Sequence, residues 1–270
     1  MKRSIVLTVL ACSFLAATAL SAGTVEIPAA KDNTLYESQN GTLSNGSGIY
    51  TFTGVTAFGE IRRGLLRFDV AGAVPSGATI DSVTLTLQMS KTIAPELPVS
   101  LHRALKDWGE GASDAAGEEG TGTSAAAGDA TWIHTFSPTD FWDAPGGDYE
   151  NSASATEPVG AEGLYSWSSE GMALDVQSWL DDPRNNFGWV VVGDESTSVT
   201  AKRFNSRENE AGPPVLSIEF SGGNGDGGGD GGGDGGAVPA ASDRMLLLTA
   251  ALLLLLGTIA VSRRRATPTR

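Results

Sequence analysis

The sequence predicts an all-β fold: an antiparallel jelly-roll sandwich with one short helix, preceded by a signal helix and followed by a transmembrane helix. Short apolar runs with period-two alternation recur between turn-forming residues. A single segment in the middle of the chain has helical periodicity, and each end carries a long apolar run. The chain has 270 residues, and a middle part of roughly 200 residues is long enough for one hydrophobic core.

Residues 1–23 predict a secretory signal peptide. A basic start, Met1-Lys2-Arg3, precedes an apolar segment over 4–20, and small residues follow it. The only cysteine, Cys12, lies inside that segment, and apolar residues continue past it, so we do not interpret it as a lipidation site. We therefore expect an exported domain without disulfides.

The first half of the domain predicts five strands, at 24–28, 49–55, 61–70, 79–89 and 98–105. The first ends at Pro28, as expected of an edge strand. Alternation over 61–70 sends Leu66, Phe68 and Val70 to one face and the arginines Arg63 and Arg67 to the other.

The second half predicts two loops, one helix and several short strands. The loops are the Gly-rich, acidic segments 109–130 and 141–163, and the strands lie at 132–136, 164–167, 187–192, 197–204 and 214–220. The helix spans 172–182, where one apolar stripe contains Met172, Val176, Trp179 and Leu180. Ser168 or Ser169 can cap its start, and Pro183 ends it.

The C-terminal part predicts a tether and a membrane anchor. Residues 221–237 repeat Gly and Asp without the apolar residue that each repeat of a calcium β-roll needs, so we expect a flexible linker. Residues 238–270 contain an apolar run, 245–261, that is just long enough to span a membrane. The arginines 263–265 place its C-terminal end in the cytoplasm and the domain outside.

The composition argues against several functions. The chain has 18 Lys and Arg and 32 Asp and Glu, and its net charge of −14 disfavours nucleic-acid binding. The two histidines, His102 and His134, offer little for a zinc site, and no nucleophile elbow or phosphate loop occurs. We therefore do not predict an enzyme.

Several separated motifs resemble the DNRLRE family, which is carbohydrate-binding module family 96. The segment 32–37, Asp-Asn-Thr-Leu-Tyr-Glu, matches the naming motif at Asp, Asn, Leu and Glu. Further matches follow in order at 62–70, 75–80, 107–111, 128–132, 175–180 and 202–208. The resemblance covers 24–220 and implies a jelly roll that binds polysaccharide, with acidic polymers such as alginate among the ligands.

The tail resembles the exosortase-type sorting signals of Gram-negative bacteria, the PEP-CTERM and IPTL-CTERM class. A short motif at 238–243, an apolar span and an arginine cluster share the layout of these signals. The resemblance implies an inner-membrane anchor that a sorting protease cuts, with release of the domain or attachment at the cell surface.

Seven side chains are the candidate ligand contacts. Arginine matches sugar carboxylates with two parallel hydrogen bonds, and aromatic rings stack on sugars. The candidates are Arg62, Arg63, Arg67, Lys202, Arg203, Arg207 and Tyr36. The alternative is that these cations pair with acids of the same domain. The six tryptophans are predicted to be core or loop residues rather than ligand platforms.

We predict no cofactor, although structural calcium is one interpretation of the acidic loop. Asp107, Glu110 and Asp114 offer the oxygen ligands that calcium prefers, and a solvated loop is the alternative. Taken together, the sequence predicts a non-catalytic, exported carbohydrate-binding module for an acidic polysaccharide, tethered or sorted to the envelope. The alternatives are a structural surface, biofilm-matrix or adhesion protein and, third, a lyase or hydrolase.

Overall fold

The structure is a computed structural model that describes residues 22–223. Most of the predicted signal peptide, most of the predicted linker and all of the predicted sorting tail lie outside the described residues, although strand pairing begins at Ala22, inside the predicted segment 1–23. Within 22–223, no helix combines the length and apolarity that a membrane crossing requires.

The prediction of an all-β fold is confirmed, and every strand pair is antiparallel. The first strands are β1 (Ala22–Tyr36), β2 (Leu43–Ser44), β3 (Tyr50–Val55), β4 (Ile61–Phe68), β5 (Ala78–Thr92), β6 (Leu97–Arg103) and β7 (Thr123–Ser124). The others are β8 (His134–Phe136), β9 (Asp140–Phe141), β10 (Ala155–Val159), β11 (Gly163–Ser168), β12 (Trp189–Val192), β13 (Lys202–Asn205) and β14 (Val215–Gly222).

Two α-helices accompany the strands, where we predicted one. The predicted helix is α2 (Glu170–Asp181), capped by Ser169, whose hydroxyl accepts a hydrogen bond from the Met172 amide. The additional helix is α1 (Val70–Ala73). It begins because the Asp69 carboxylate accepts a hydrogen bond from the Gly72 amide, and β4 therefore ends two residues earlier than predicted.

Strand β1 belongs to two sheets and closes them into a ring. Up to Pro28 it pairs with β14, and from Ala29 onward it pairs with β4. Proline has no N–H to donate, so it fits the point where the partner changes, and the predicted edge strand continues instead of ending there. The pairing then runs β1–β4–β3–β13–β5–β14 and returns to β1.

The main core lies inside this ring and beneath α2. Leu66 and Phe68 of β4 face it, as the alternation predicts, and the stripe on α2 is buried against it. Trp179 of α2 packs edge-on against Trp189 of β12, with ring centres 4.6 Å apart. The helix is therefore a cover for the core.

A second apolar cluster covers the outer face of β1, β4 and β12. Leu65 of β4, which has the opposite parity to Leu66, packs there with Trp108, Trp132 and Trp142 from the connecting segments. Because all six tryptophans are buried, the prediction that they are core or loop residues is confirmed.

Candidate ligand-binding groove

A groove of about 270 Å³ lies where the end of β5 meets β13. We call it the basic groove, and its lining consists of Phe52, Lys91, Thr92, Ile93, Glu118, Gly120, Ala201, Lys202 and Arg203. Three of these side chains are cations and one is a carboxylate. Another hollow, of about 600 Å³ beside the start of α2, is lined by Asp81 and Glu170 and by no cation. The basic groove is thus the better place for an anionic ligand.

Lys91 and Arg203 are directly opposite each other on β5 and β13. Like charges at such positions repel and destabilise a sheet. Glu118 removes the conflict, because one of its carboxylate oxygens accepts hydrogen bonds from Lys91 at 2.8 Å and from Arg203 at 2.7 Å. The Glu118 side chain is 70% exposed, so this carboxylate lies at the mouth of the groove.

Arg203 is held in place before any ligand arrives. Its guanidinium stacks on Tyr50, with the guanidinium carbon 3.7 Å from the ring centre, and its Nε donates to Ser90 at 3.0 Å. Hydrogen bonding from Lys91, and then the charges of Lys91 and Arg203, hold the pKa of Glu118 below its ordinary value. The pair of cations therefore stabilises a carboxylate in its ionised form.

The predicted residue Lys202 lies at the floor of the groove, almost fully buried. Its ammonium donates to the Pro95 carbonyl at 3.0 Å. Burial lowers the pKa of Lys202, an effect that the nearby Glu96 opposes. Lys202 therefore adds positive charge beneath the groove rather than a free contact at its surface.

The predicted residues Tyr36 and Arg62 lie behind the groove and are buried. The Tyr36 hydroxyl donates to the Glu119 carbonyl at 3.0 Å, and Arg62 Nε donates to the Gly120 carbonyl at 3.1 Å. Burial raises the pKa of Tyr36 above its ordinary value. We expected direct ligand contacts, but both side chains instead fix the loop that carries Glu118.

The loop itself is ordered by Glu119, which is buried between the strands. Its carboxylate accepts hydrogen bonds from the side chain of Asn45 and from the amides of Ile49 and Tyr50. Its backbone has φ 61°, a left-handed conformation that few non-glycine residues adopt. The segment that we predicted as a long loop therefore forms one wall of the groove.

Arg63 lies elsewhere, in a separate cleft of about 440 Å³. Its Nε and Nη2 donate to the two carboxylate oxygens of Glu195, each at 2.7 Å, and its guanidinium lies over the rings of Trp132 and Tyr149. The other cation in this cleft, Lys106, is paired with Asp143 and Asp148. The cleft therefore supplies no excess positive charge.

Arg67 and Arg207 are also separate from the groove. Arg67 is opposite Lys31 across β4 and β1, and its buried Nε has no hydrogen-bond partner within 22–223. Arg207 donates to both carboxylate oxygens of Glu110, at 2.6 and 3.0 Å. The six predicted cations therefore do not form one continuous face.

Sequence reasoning missed Lys91, Ile93, Glu118 and Phe52. Lys91 follows the predicted strand 79–89 with the same parity as the buried Met89, so the alternation places it on the inner face; the strand in fact continues to Thr92, and a bulge between the Met89–Phe204 and Lys91–Arg203 pairs turns Lys91 outward. Glu118 lies in a segment whose composition predicts a loop without a defined position. The alternation therefore gives the wrong face for Lys91, and nothing local predicts the place of Glu118.

No protein-family model matches the chain, and no curated protein has a significant match to it. The resemblance to the DNRLRE family and to the exosortase sorting tails stays a prediction.

Proposed function

We propose that the protein is a non-catalytic, exported carbohydrate-binding domain with a jelly-roll sandwich fold, and that it takes an acidic polysaccharide in the basic groove. One observation carries the proposal: the exposed Glu118 carboxylate, bonded to both Lys91 and Arg203. The position suits a carboxylate, and the carboxylate that fills it is solvent-exposed.

A uronate residue of a polysaccharide presents the same chemical group on a sugar ring. Its carboxylate takes the place of Glu118 between the two cations, and arginine contributes directional hydrogen bonds as well as charge. The displaced ion pair contributes little to stability, because exposed pairs are screened by solvent. The apolar face of the sugar ring rests against Ile93, which is 83% exposed beside the groove.

The proposed setting is the cell envelope. The signal peptide directs export, the tail anchors the chain first in the inner membrane, and a sorting protease then determines whether the domain stays at the surface. These steps follow from the expected segments 1–23 and 238–270 and from the resemblance of the tail to sorting signals.

The test is binding of the full-length chain in non-ionic detergent to polyguluronate and polymannuronate, with dextran as the neutral polymer. We expect binding to the uronates alone, weakened by added salt because exposed charge contacts are screened. Arg203→Ala removes charge-assisted hydrogen bonds and should weaken binding about tenfold or more. Lys91→Ala changes a more exposed side chain and should act in the same direction.

The matched control is Arg184→Ala, since Arg184 is 91% exposed and paired with Asp182 away from the groove. Its affinity should equal that of the original chain. Equal affinity of the Arg203→Ala, Lys91→Ala and Arg184→Ala variants contradicts the proposal.

A structural surface or matrix protein is the second candidate. It is supported by the pairing of four predicted cations with carboxylates of the same domain: Arg62, Arg63, Arg203 and Arg207. A chain that binds none of the polymers at low salt favours this candidate.

A further inference from the structure

Three carboxylates from distant parts of the chain meet beside β1. Asp32 comes from β1, Glu110 from the segment after β6, and Glu208 from the turn after β13. One oxygen of each side chain lies within 4.8 Å of one oxygen of each of the other two. We call this group the carboxylate triad.

The triad is rigidly built. The Asp32 amide donates to Glu110 at 2.9 Å, and the Arg207 amide donates to Asp32 at 2.7 Å. The side-chain amide of Asn33 donates to the Glu110 carbonyl at 2.8 Å. Backbone groups therefore hold two of the three carboxylates in position, which is the preorganisation that a binding site needs.

Negative charge exceeds positive charge within the triad. Arg207 is the cation that contacts it, through Glu110 and Glu208, and its side chain is 38% exposed. Burial, followed by repulsion from Glu208 and Glu110, raises the pKa of Asp32 well above its ordinary value, against the hydrogen bond from the Arg207 amide. Burial also raises the pKa of Glu208. The negative charges of Asp32 and Glu208 are thus not fully balanced by nearby positive charge.

A buried oxygen without a partner is an observation independent of the clustering. Asp32 is 1% exposed, and its carboxylate accepts a hydrogen bond from the Arg207 amide. Glu208 Oε2 is buried and lacks a partner within 22–223. Buried carboxylate oxygens without donors are costly unless a cation takes their lone pairs.

The spacing suits calcium. Calcium binds oxygen ligands at about 2.3–2.6 Å, so two oxygens on one ion lie at most about 5 Å apart. The triad falls within that limit. Calcium also accepts carboxylates and waters in flexible geometry, so three protein ligands and several waters complete its shell.

We propose that the carboxylate triad of Asp32, Glu110 and Glu208 binds one calcium ion. The ion ties β1 to the segment after β6 and to the turn after β13, and it replaces the contacts of the Arg207 side chain, which is free to swing toward solvent. The site is structural, since it lies apart from the residues that line the basic groove.

The test is thermal unfolding of the full-length chain in detergent, stripped with chelator and then titrated with calcium chloride. A ligand at 100 times its Kd should raise the Tm of a domain of this size by about 5–10 °C. Titration calorimetry should report one site. Asp32→Asn and Glu208→Gln should each abolish the rise, and Glu208→Gln decides if the Asp32 variant does not fold.

Glu26→Gln is the matched control, because it removes an exposed carboxylate of β1 outside the triad and should keep the full rise. Absence of a rise in the original chain overturns the proposal, as does a rise that persists in both triad variants. An equal response to magnesium at the same concentration overturns the assignment to calcium.

Discussion

The guanidinium carbon of Arg62 lies 4.9 Å from the centre of the Tyr36 ring, and both side chains are buried behind the basic groove. Arg62 also donates to the carbonyls of Glu37, Ile61 and Gly120. The stacked pair therefore joins β4 to the loop that carries Glu118, and its importance is structural.

Arg62→Ala should destabilise the domain by about 2–5 kcal/mol, because it leaves buried carbonyls without donors. The measurement is the free energy of unfolding from urea titration. Arg184→Ala, which removes an exposed guanidinium, should leave the urea midpoint unchanged. An Arg62→Ala variant as stable as this control contradicts the structural role.

The Glu118 carboxylate should make the stability of the domain depend on pH in the acidic range. Its pKa in the folded state lies below the ordinary value of 4.5, because Lys91 and Arg203 favour the ionised form. Its contribution is therefore present above pH 4.5 and is lost as the pH falls through the folded-state pKa. Because the ion pair is exposed, Glu118→Gln should lower the urea midpoint only slightly at pH 7, and not at all at pH 3. The same lowering at both pH values would show that charge is not the cause.

When divalent cations are chelated, Asp32 should affect the pH dependence of stability in the direction opposite to Glu118. Its pKa in the folded state is raised well above 3.8, so the folded protein binds more protons than the unfolded chain between those two values. Stability therefore falls as the pH rises through that window. Asp32→Asn keeps an acceptor for the Arg207 amide and carries no charge, so its stability relative to the original chain should increase with pH. A pH-independent difference between the two unfolding curves argues against a buried charge.

Two glycines in the acidic loop provide a matched pair. Gly111 and Gly117 have φ +74° and +72°, but a Cβ on Gly111 would lie 1.4 Å from the Asp129 carboxylate, whereas one on Gly117 would meet nothing within 4 Å. Gly117→Ala should cost about 1–2 kcal/mol, the price of the left-handed backbone alone. Gly111→Ala should cost several kcal/mol more, because Asp129 organises the loop through its hydrogen bonds to Ala112 and Ala126. Equal costs in urea unfolding contradict this packing.

Local sequence patterns were sufficient to predict the elements in which the spacing of apolar residues matches the buried face. The alternation of Leu66 and Phe68 predicted the core face of β4, and the apolar stripe with its Ser169 cap predicted α2. Pro28 misled the prediction, because a proline can mark either a strand end or a change of partner. Strand β10 was missed because Pro158 and its acidic neighbours resemble a loop.

The groove and the triad could not be predicted from local signals because their members are far apart in sequence. Glu118 meets Arg203 across 85 residues, and Asp32 meets the Arg207 amide across 175. Which acid pairs with which cation depends on the closed ring of strands, and a charge pattern alone gives no information about that closure. This is why the predicted cations were identified as a set but divide among several locations.

Strand β14 pairs with β1 on one side and with β5 on the other, over nearly its whole length. Its hydrogen bonds run perpendicular to the strand direction. A pull along the C-terminal end of β14 therefore strains both ladders in shear, so many bonds must break together rather than one after another. Shear of two complete hydrogen-bond ladders is the loading geometry in which a sheet resists mechanical tension best.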